Sequence, residues 1–220
     1  MSVADHLSPC DIALSDRPLI VCDIDEVVLE FIVPLTQYLR AGGLDLLPRS
    51  FRLHGNVVSL ETGAESDEAT VSAQLEDFFC QHDQWQFPAP LAVETLNQLA
   101  ADADIVFLTA MPPRHAAIRR ALLDSFGLHF PLMATEEAKG PMVKTLHRDR
   151  DLPVIFIDDI VRNLHSVREH APDCLLINIM ANRDFLAMAP DPGEGVRRAL
   201  DWTEAAAIIL DHLHARKGSA

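Results

Sequence analysis

The stretch PLIVCDIDEVVLEF, from Pro18 to Phe31, decides the fold, because an apolar run in it ends in a cluster of acids. Asp23 and Asp25 are separated by one residue, and Glu26 follows at once. Continuous apolar runs are typical of parallel strands that are covered on both faces. Open α/β sheets bind their ligands beyond the carboxyl ends of the strands. The three acids therefore stand where such a sheet would place a ligand.

Composition limits the class of protein. The chain has 220 residues, of which 49% are hydrophobic and 23% charged, which suits one large domain or a domain with an inserted lobe. No apolar run approaches the roughly 18 residues of a membrane span, and the N-terminus lacks the features of a secretory signal. Four cysteines without CxxC spacing predict reduced thiols in the cytoplasm: Cys10, Cys22, Cys80 and Cys174.

The charge balance indicates the kind of partner. The chain carries 18 Lys and Arg against 33 Asp and Glu, a formal net charge of −15. Such a field repels nucleic acid polymers, so we expect none as a partner. A small phosphorylated substrate stays compatible with this charge if a cation lies in the site. The sequence makes no prediction of the oligomeric state.

Further apolar runs alternate with segments of helical periodicity. One segment ends at Gly127, another ends before Pro172, and the last begins with Asp201 three residues before Glu204, as in a capping box. This alternation predicts an α/β protein with a doubly wound, Rossmann-like parallel sheet. The runs span residues 19–22, 104–109, 129–135, 153–158 and 174–180.

Residues 31–90 interrupt the alternation and predict a small, mainly helical cap inserted after the first strand. A short helix is expected to end at Gly42, and a second is expected to begin after Ser66 or Asp67. The turn signal around Gly55 predicts a hairpin between them. The catalytic core would then comprise residues 1–30 and 91–220.

The residues that follow the apolar runs predict a metal site. Several carboxylates cannot all be charged and dry at one sheet edge, so a metal ion or protons must neutralise them. A set of hard oxygen ligands without histidine or thiol favours Mg²⁺. The residues concerned are Asp23, Asp25, Thr109, Asp158 and Asp159.

Two aspartates at a metal site can divide the work of phosphate ester hydrolysis. One carboxylate attacks phosphorus, and the other protonates the leaving oxygen. A threonine hydroxyl and a lysine would hold the phosphoryl oxygens. Lys139 and Lys144 are both candidates, and Pro141 favours Lys139 by placing it at the start of a helix.

The ordered motifs resemble those of the haloacid dehalogenase superfamily of phosphohydrolases. They are IVCDIDEVV, then IVFLT, then a lysine near a helix start, then IFIDDIVRN. The resemblance implies that Asp23 is the nucleophile and a metal ligand. It implies that Asp25 is the acid–base residue and lends its backbone carbonyl to Mg²⁺, and that Asp159 is a further ligand. It also implies phosphate binding by Thr109, Ala110 and Lys139, with support from Asp158 and Asn163.

The predicted cap would select the substrate. Its flanking sequences resemble the 5′(3′)-deoxyribonucleotidase branch, which implies a nucleoside 5′-monophosphate. A sugar phosphate is the alternative substrate, and a non-catalytic protein that binds a phosphate ligand is the alternative function. Glu26 favours the latter, because the family usually has a glycine there that eases a tight turn. Aromatic residues available for stacking on a base are Phe51, Phe78, Phe79, Trp85 and Phe87.

Overall fold

The structure, a computed structural model, describes residues 7–148 and 150–217. At its centre is a parallel sheet of six strands in the order β5-β4-β1-β6-β7-β8. The prediction of an α/β fold with a doubly wound parallel sheet is confirmed. The strands are β1 (Leu19–Cys22), β4 (Asp104–Thr109), β5 (Leu132–Ala134), β6 (Val154–Asp158), β7 (Leu175–Asn178) and β8 (Val196–Arg198).

Helices cover both faces of the sheet, as the continuous apolar strands require. Ile20 and Cys22 of β1 pack into one hydrophobic cluster, whereas Leu19 and Val21 pack into the opposite one. The helices of this core are α3 (Ala92–Leu99), α4 (Ala116–Ser125), α5 (Lys139–His147), α6 (Val161–His170), α7 (Arg183–Met188) and α8 (Trp202–Lys217). The sequence predicted neither β8 nor α7, because both are short and largely exposed.

A lobe lies between β1 and α3. It contains α1 (Ile32–Ala41), β2 (Leu44–Leu46), β3 (Val57–Ser59), α2 (Glu68–Cys80) and a 3₁₀ turn (His82–Gln84). Both predicted helices of this region are present, and the Asp67 side chain accepts a hydrogen bond from Thr70 N (2.7 Å) at the start of α2. The domain boundaries at residues 30 and 91 stay a prediction.

The predicted hairpin turn around Gly55 is wrong. β3 pairs antiparallel with β2, so the two strands are joined by residues 47–56 rather than by a tight turn. The buried Asn56 side chain fixes this connection by donating to Ser50 O (2.9 Å) and Arg52 O (2.6 Å). The Gly55 turn therefore belongs to a longer loop and does not reverse the strand directly.

Two chain segments join the lobe to the core, and they run side by side. Glu30 N donates to Phe87 O (2.9 Å), and Ala89 N donates to Val28 O (2.9 Å). We call residues 28–30 and 81–89 the hinge.

No helix in the described part of the chain is long and apolar enough to cross a membrane.

Gly140 allows α5 to approach α6 closely. A Cβ atom built on Gly140 would lie 2.1 Å from the backbone oxygen of Ser166. The Gly140 N–H also donates to Ser166 Oγ (3.1 Å). A side chain at this position would therefore push apart the helix that begins at Lys139 and its neighbour.

We predict that Gly140→Ala lowers the free energy of unfolding by about 1–3 kcal/mol, the usual effect of overpacking. Urea denaturation of purified variants would measure it. Gly42→Ala is the control, because Gly42 has a negative φ of −91° and the atom nearest to an added Cβ would be 3.4 Å away. Equal stability of the two variants would contradict the prediction.

Candidate active site

A buried ion cluster lies at the carboxyl end of the sheet. Lys139 Nζ is 2.8 Å from Asp23 Oδ1 and 2.6 Å from Asp158 Oδ2, and the three residues are at most 5% exposed. Burial alone would lower the pKa of Lys139, but the carboxylates of Asp158 and Asp23 raise it above its ordinary value. Lys139 is the first residue of α5, whereas Lys144 is exposed. Of the two candidate lysines, Lys139 therefore lies in the site.

The sheet brings the two aspartates of this cluster together. β1 and β6 are neighbours with Cys22 opposite Ile157, so Asp23 and Asp158 leave the sheet side by side. Asp158 also accepts hydrogen bonds from Asn163 Nδ2 (3.1 Å) and from a backbone N–H. With its oxygens occupied in this way, Asp158 supports Lys139 and Asn163.

The acids outnumber the bases in this cluster. Carboxylate oxygens of Asp23, Asp158 and Asp159 lie within 4.8 Å of one another, and the Lys139 ammonium is paired with Asp23 and Asp158. Burial raises the pKa of Asp23 to about 7 despite Lys139, and burial together with Asp158 and Asp23 raises the pKa of Asp159. If all three carboxyl groups are ionised, they carry two more negative charges than the Lys139 ammonium balances. A divalent cation with a preference for oxygen ligands, such as Mg²⁺, fits this surplus.

Thr109 presents an unsatisfied hydroxyl beside the cluster. It ends β4 and is 1% exposed, and its Oγ1 has no hydrogen-bond partner among the described residues. An unpaired buried hydroxyl costs about 1–3 kcal/mol. Thr109 and the next residue, Ala110, line the same cavity as Asp23. The hydroxyl is therefore placed to bind a ligand there.

Asp25 is held by residues that the motifs did not reveal. Arg119 NH1 and NH2 lie 2.9 and 3.3 Å from its two carboxylate oxygens, and Gln86 Nε2 lies 2.8 Å from Oδ1. Burial alone would raise the pKa of Asp25, but Arg119 and Gln86 hold it below its ordinary value. The sequence contained a signal for the role of Arg119, because this charged residue shares the buried face of α4 with Ala116, Leu122 and Leu123. A charged residue on a buried face is expected to have a partner.

Glu26 adopts the conformation that a glycine would adopt. Its φ is +63°, in the left-handed region. Its carboxylate accepts hydrogen bonds from Phe31 N (2.9 Å) and Ile32 N (2.6 Å) at the start of α1, and from Asn182 N (2.7 Å) before α7. Glu26 thus keeps the tight turn and joins the lobe to the core.

A cavity of ≈ 290 Å³ opens above these groups. Asp23, Asp25, Thr109 and Asp159 line its polar end. Its other walls are mostly apolar, and Arg52 adds a cation from the loop between β2 and β3. The apolar lining residues include Phe31, Phe51, Leu53, Phe79, Met180 and Phe185.

Two of the five aromatic residues suggested for stacking reach this cavity. They are Phe51 and Phe79. Phe78 is fully buried inside the lobe, Trp85 packs against Tyr38 with ring centroids 5.7 Å apart, and neither lines the cavity. Phe87 is exposed on the hinge.

Solved structures with the same fold are found, although no protein-family model and no curated protein sequence matches the chain. A haloacid dehalogenase-like family hydrolase from Xanthomonas campestris has a TM-score of 0.58 and 16% identity, covering 93% of this chain and 99% of that one. A haloacid dehalogenase-like family hydrolase from Streptococcus pneumoniae has a TM-score of 0.56 and 14% identity, covering 87% and 97%.

A third structure contains the ligands that the site chemistry suggests. It is D,D-heptose 1,7-bisphosphate phosphatase from B. bronchiseptica, complexed with magnesium and phosphate, with a TM-score of 0.51, 17% identity and coverage of 89% and 99% of the two chains. The chain described here therefore has the haloacid dehalogenase-like fold, and the resemblance that its motifs indicated is confirmed at that level.

We predict that Glu26→Ala is more destabilising than Glu26→Gly. Both variants lose three hydrogen bonds to the carboxylate, but alanine also keeps the strain of a positive φ, which costs about 1–2 kcal/mol. Urea denaturation would measure the difference. Glu30→Ala is the control, because no hydrogen bond to its carboxylate is found in the described part of the chain. An alanine variant as stable as the glycine variant would contradict this account.

Proposed function

We propose that the protein is a Mg²⁺-dependent phosphatase that hydrolyses small phosphate monoesters through an aspartyl-phosphate on Asp23. The observation that carries the proposal is the buried cluster of Asp23, Asp159 and Lys139 beside the unpaired Thr109 hydroxyl, at one end of an apolar cavity. The carboxylates of this cluster outnumber the Lys139 ammonium, and the Thr109 hydroxyl has no hydrogen-bond partner in the described part of the chain. A phosphoryl group bound with a divalent cation would supply both.

Each residue then has a definite task. Asp23 attacks phosphorus, while Lys139 and Thr109 hold the phosphoryl oxygens beside it, with the backbone at Ala110. Asp25 donates a proton to the leaving oxygen as the ester P–O bond breaks, and its carboxylate then accepts a proton from the water that attacks phosphorus and releases phosphate from Asp23. Asp158 and Asn163 keep Lys139 and the loop after β6 in place.

The proposed Mg²⁺ ligands are Asp23, Asp159 and the backbone carbonyl of Asp25. When bound, Mg²⁺ would neutralise charge on the phosphoryl oxygens and on the two carboxylates. The protein's own contribution is to hold these oxygens at the edge of the sheet, where Asp158 and Lys139 fix their surroundings.

The cavity supports a small substrate with a flat or apolar body. Phe51 and Phe79 line its apolar part, and Arg52 is a further lining residue. We therefore propose a nucleoside 5′-monophosphate as substrate, with a sugar phosphate as the second candidate.

The expected location is the cytoplasm, where the four scattered cysteines would stay reduced.

A non-catalytic role in phosphate binding has less support. Glu26 was the feature that favoured it, because the family that the motifs resemble usually has a glycine there. The φ of Glu26, +63°, lies in the left-handed region that glycine adopts readily, and its carboxylate bonds the backbone at residues 31, 32 and 182, so the turn beside Asp23 and Asp25 accommodates the glutamate.

We predict hydrolysis of 4-nitrophenyl phosphate that is lost in excess chelator and restored by added Mg²⁺. Asp23→Asn should remove detectable turnover while leaving phosphate binding intact, because it removes the nucleophile but little volume. Lys144→Gln is the control, since Lys144 is exposed and lies outside the cluster. Full activity in chelator would refute the metal requirement, and an active Asp23→Asn enzyme would refute the nucleophile.

We predict that the best nucleoside 5′-monophosphate has a higher kcat/KM than the best sugar phosphate in a panel of both classes. Stacking of a base on an aromatic ring contributes about 1–3 kcal/mol, or roughly 5- to 150-fold. Phe51→Leu should reduce the nucleotide advantage, and Phe87→Leu, on the exposed hinge, should not. A superior sugar phosphate would overturn the nucleotide proposal and leave the phosphatase proposal standing.

A further inference from the structure

We propose that Arg119 is a positioning residue that fixes the Asp25 carboxylate and ties it to the hinge of the lobe. The proposal rests on the phosphatase function proposed above, in which Asp25 is the acid–base residue. Arg119 belongs to none of the motifs, and among the described residues it makes no hydrogen bond to Asp23 or Lys139. It acts through Asp25.

The guanidinium of Arg119 is completely buried, and each of its nitrogens has a partner. NH1 and NH2 donate to the two oxygens of Asp25, Nε donates to His82 Nε2 (3.2 Å), and NH2 also lies 3.8 Å from Met111 Sδ. A buried charge is strongly destabilising once its partner is removed. The two-pronged geometry also fixes the plane of the carboxylate. Arg119 therefore restricts Asp25 to one orientation.

His82 serves as the acceptor on the far side of Arg119. Its Nδ1 lies 2.7 Å from the carbonyl oxygen of Phe79, so Nδ1 carries the hydrogen and Nε2 presents a lone pair to Arg119. His82 is fully buried in the 3₁₀ turn that follows α2 of the lobe. The Nε side of the guanidinium is thus bound by His82 of the hinge, and its NH1 and NH2 side is bound by Asp25.

Gln86 makes a second connection between Asp25 and the hinge. Its Nε2 donates both to Asp25 Oδ1 (2.8 Å) and to Glu30 O (3.0 Å). Glu30 and Gln86 belong to the two paired segments of the hinge. The donors that orient Asp25 therefore come from α4 of the core and from the returning hinge segment.

This placement has a chemical consequence. Acid–base catalysis requires the carboxylate to lie within hydrogen-bond reach of the leaving oxygen, and a shift of about 1 Å can cost 10²-fold in rate. Loosening Arg119 should therefore slow esters with a strongly basic leaving oxygen. It should slow much less the hydrolysis of esters whose leaving group departs without being protonated. A general loss of structure would slow both kinds equally.

The test compares Arg119→Lys with the wild-type enzyme on benzyl phosphate and 4-nitrophenyl phosphate, two aromatic esters with poor and good leaving groups. We expect kcat for benzyl phosphate to fall by about 10- to 100-fold, less than the roughly 10²–10⁴-fold that a complete loss of acid–base catalysis usually costs. The fall for 4-nitrophenyl phosphate should be much smaller, with KM nearly unchanged for both. Arg120→Lys is the control, because Arg120 lies next in the same helix and bonds Leu128 O, Phe130 O and Asp124 instead.

A double variant separates positioning from folding. Arg119→Lys should cause little further loss in an Asp25→Asn background, because both changes act on one group. Gln86→Leu, which leaves the buried charge pair intact, should show a smaller loss with the same leaving-group selectivity. Equal losses on both esters, or losses that add in the double variant, would overturn the positioning role while the phosphatase function stands. A wild-type protein without turnover of either ester would refute the proposed function itself.

Discussion

The ion cluster around Lys139 is the constraint on which the site depends. A buried ammonium requires partners, and here Asp23 and Asp158 provide them at 2.8 and 2.6 Å. The three residues come from the end of β1, the end of β6 and the start of α5. Their pairing therefore fixes the relative positions of two central strands and one helix. Gly140 permits this arrangement, because it lets α5 approach the backbone of α6 immediately after Lys139.

The charge of this cluster is only partly balanced. The ammonium of Lys139 offsets the charge of one of the three carboxylates in the cluster. Burial, together with the neighbouring carboxylates, raises the pKa of Asp23 and Asp159. Such a surplus would be unfavourable in a purely structural core. At the end of a cavity, the same surplus would attract a divalent cation, and a phosphoryl group would bind together with that cation in the proposed function.

The two aspartates of the DxD motif have different neighbours. Asp23 faces an ammonium from the core, whereas Asp25 faces a guanidinium and an amide that are linked to the hinge. Their environments also move their pKa values in opposite directions, up for Asp23 and down for Asp25. These directions are the reverse of what the proposed roles need, an ionised nucleophile and a protonated acid, so those roles rely on the cation and the phosphoryl group that would bind beside the two aspartates.

The sequence and the tertiary structure determined different things about this protein. Apolar runs without alternation identified five of the six strands of the parallel sheet, and the polar residues at the ends of three of them identified Asp23, Thr109, Asp158 and Asp159. A polar residue at the end of an apolar run predicts a place in the site, because the carboxyl ends of parallel strands meet at one edge of the sheet. The short, exposed β8 and the pairing of β2 with β3 lacked such a pattern. Only the tertiary structure decided the partners: His82 and Arg119, 37 positions apart, meet behind Asp25, because packing of the whole chain brings together groups that have no local signature.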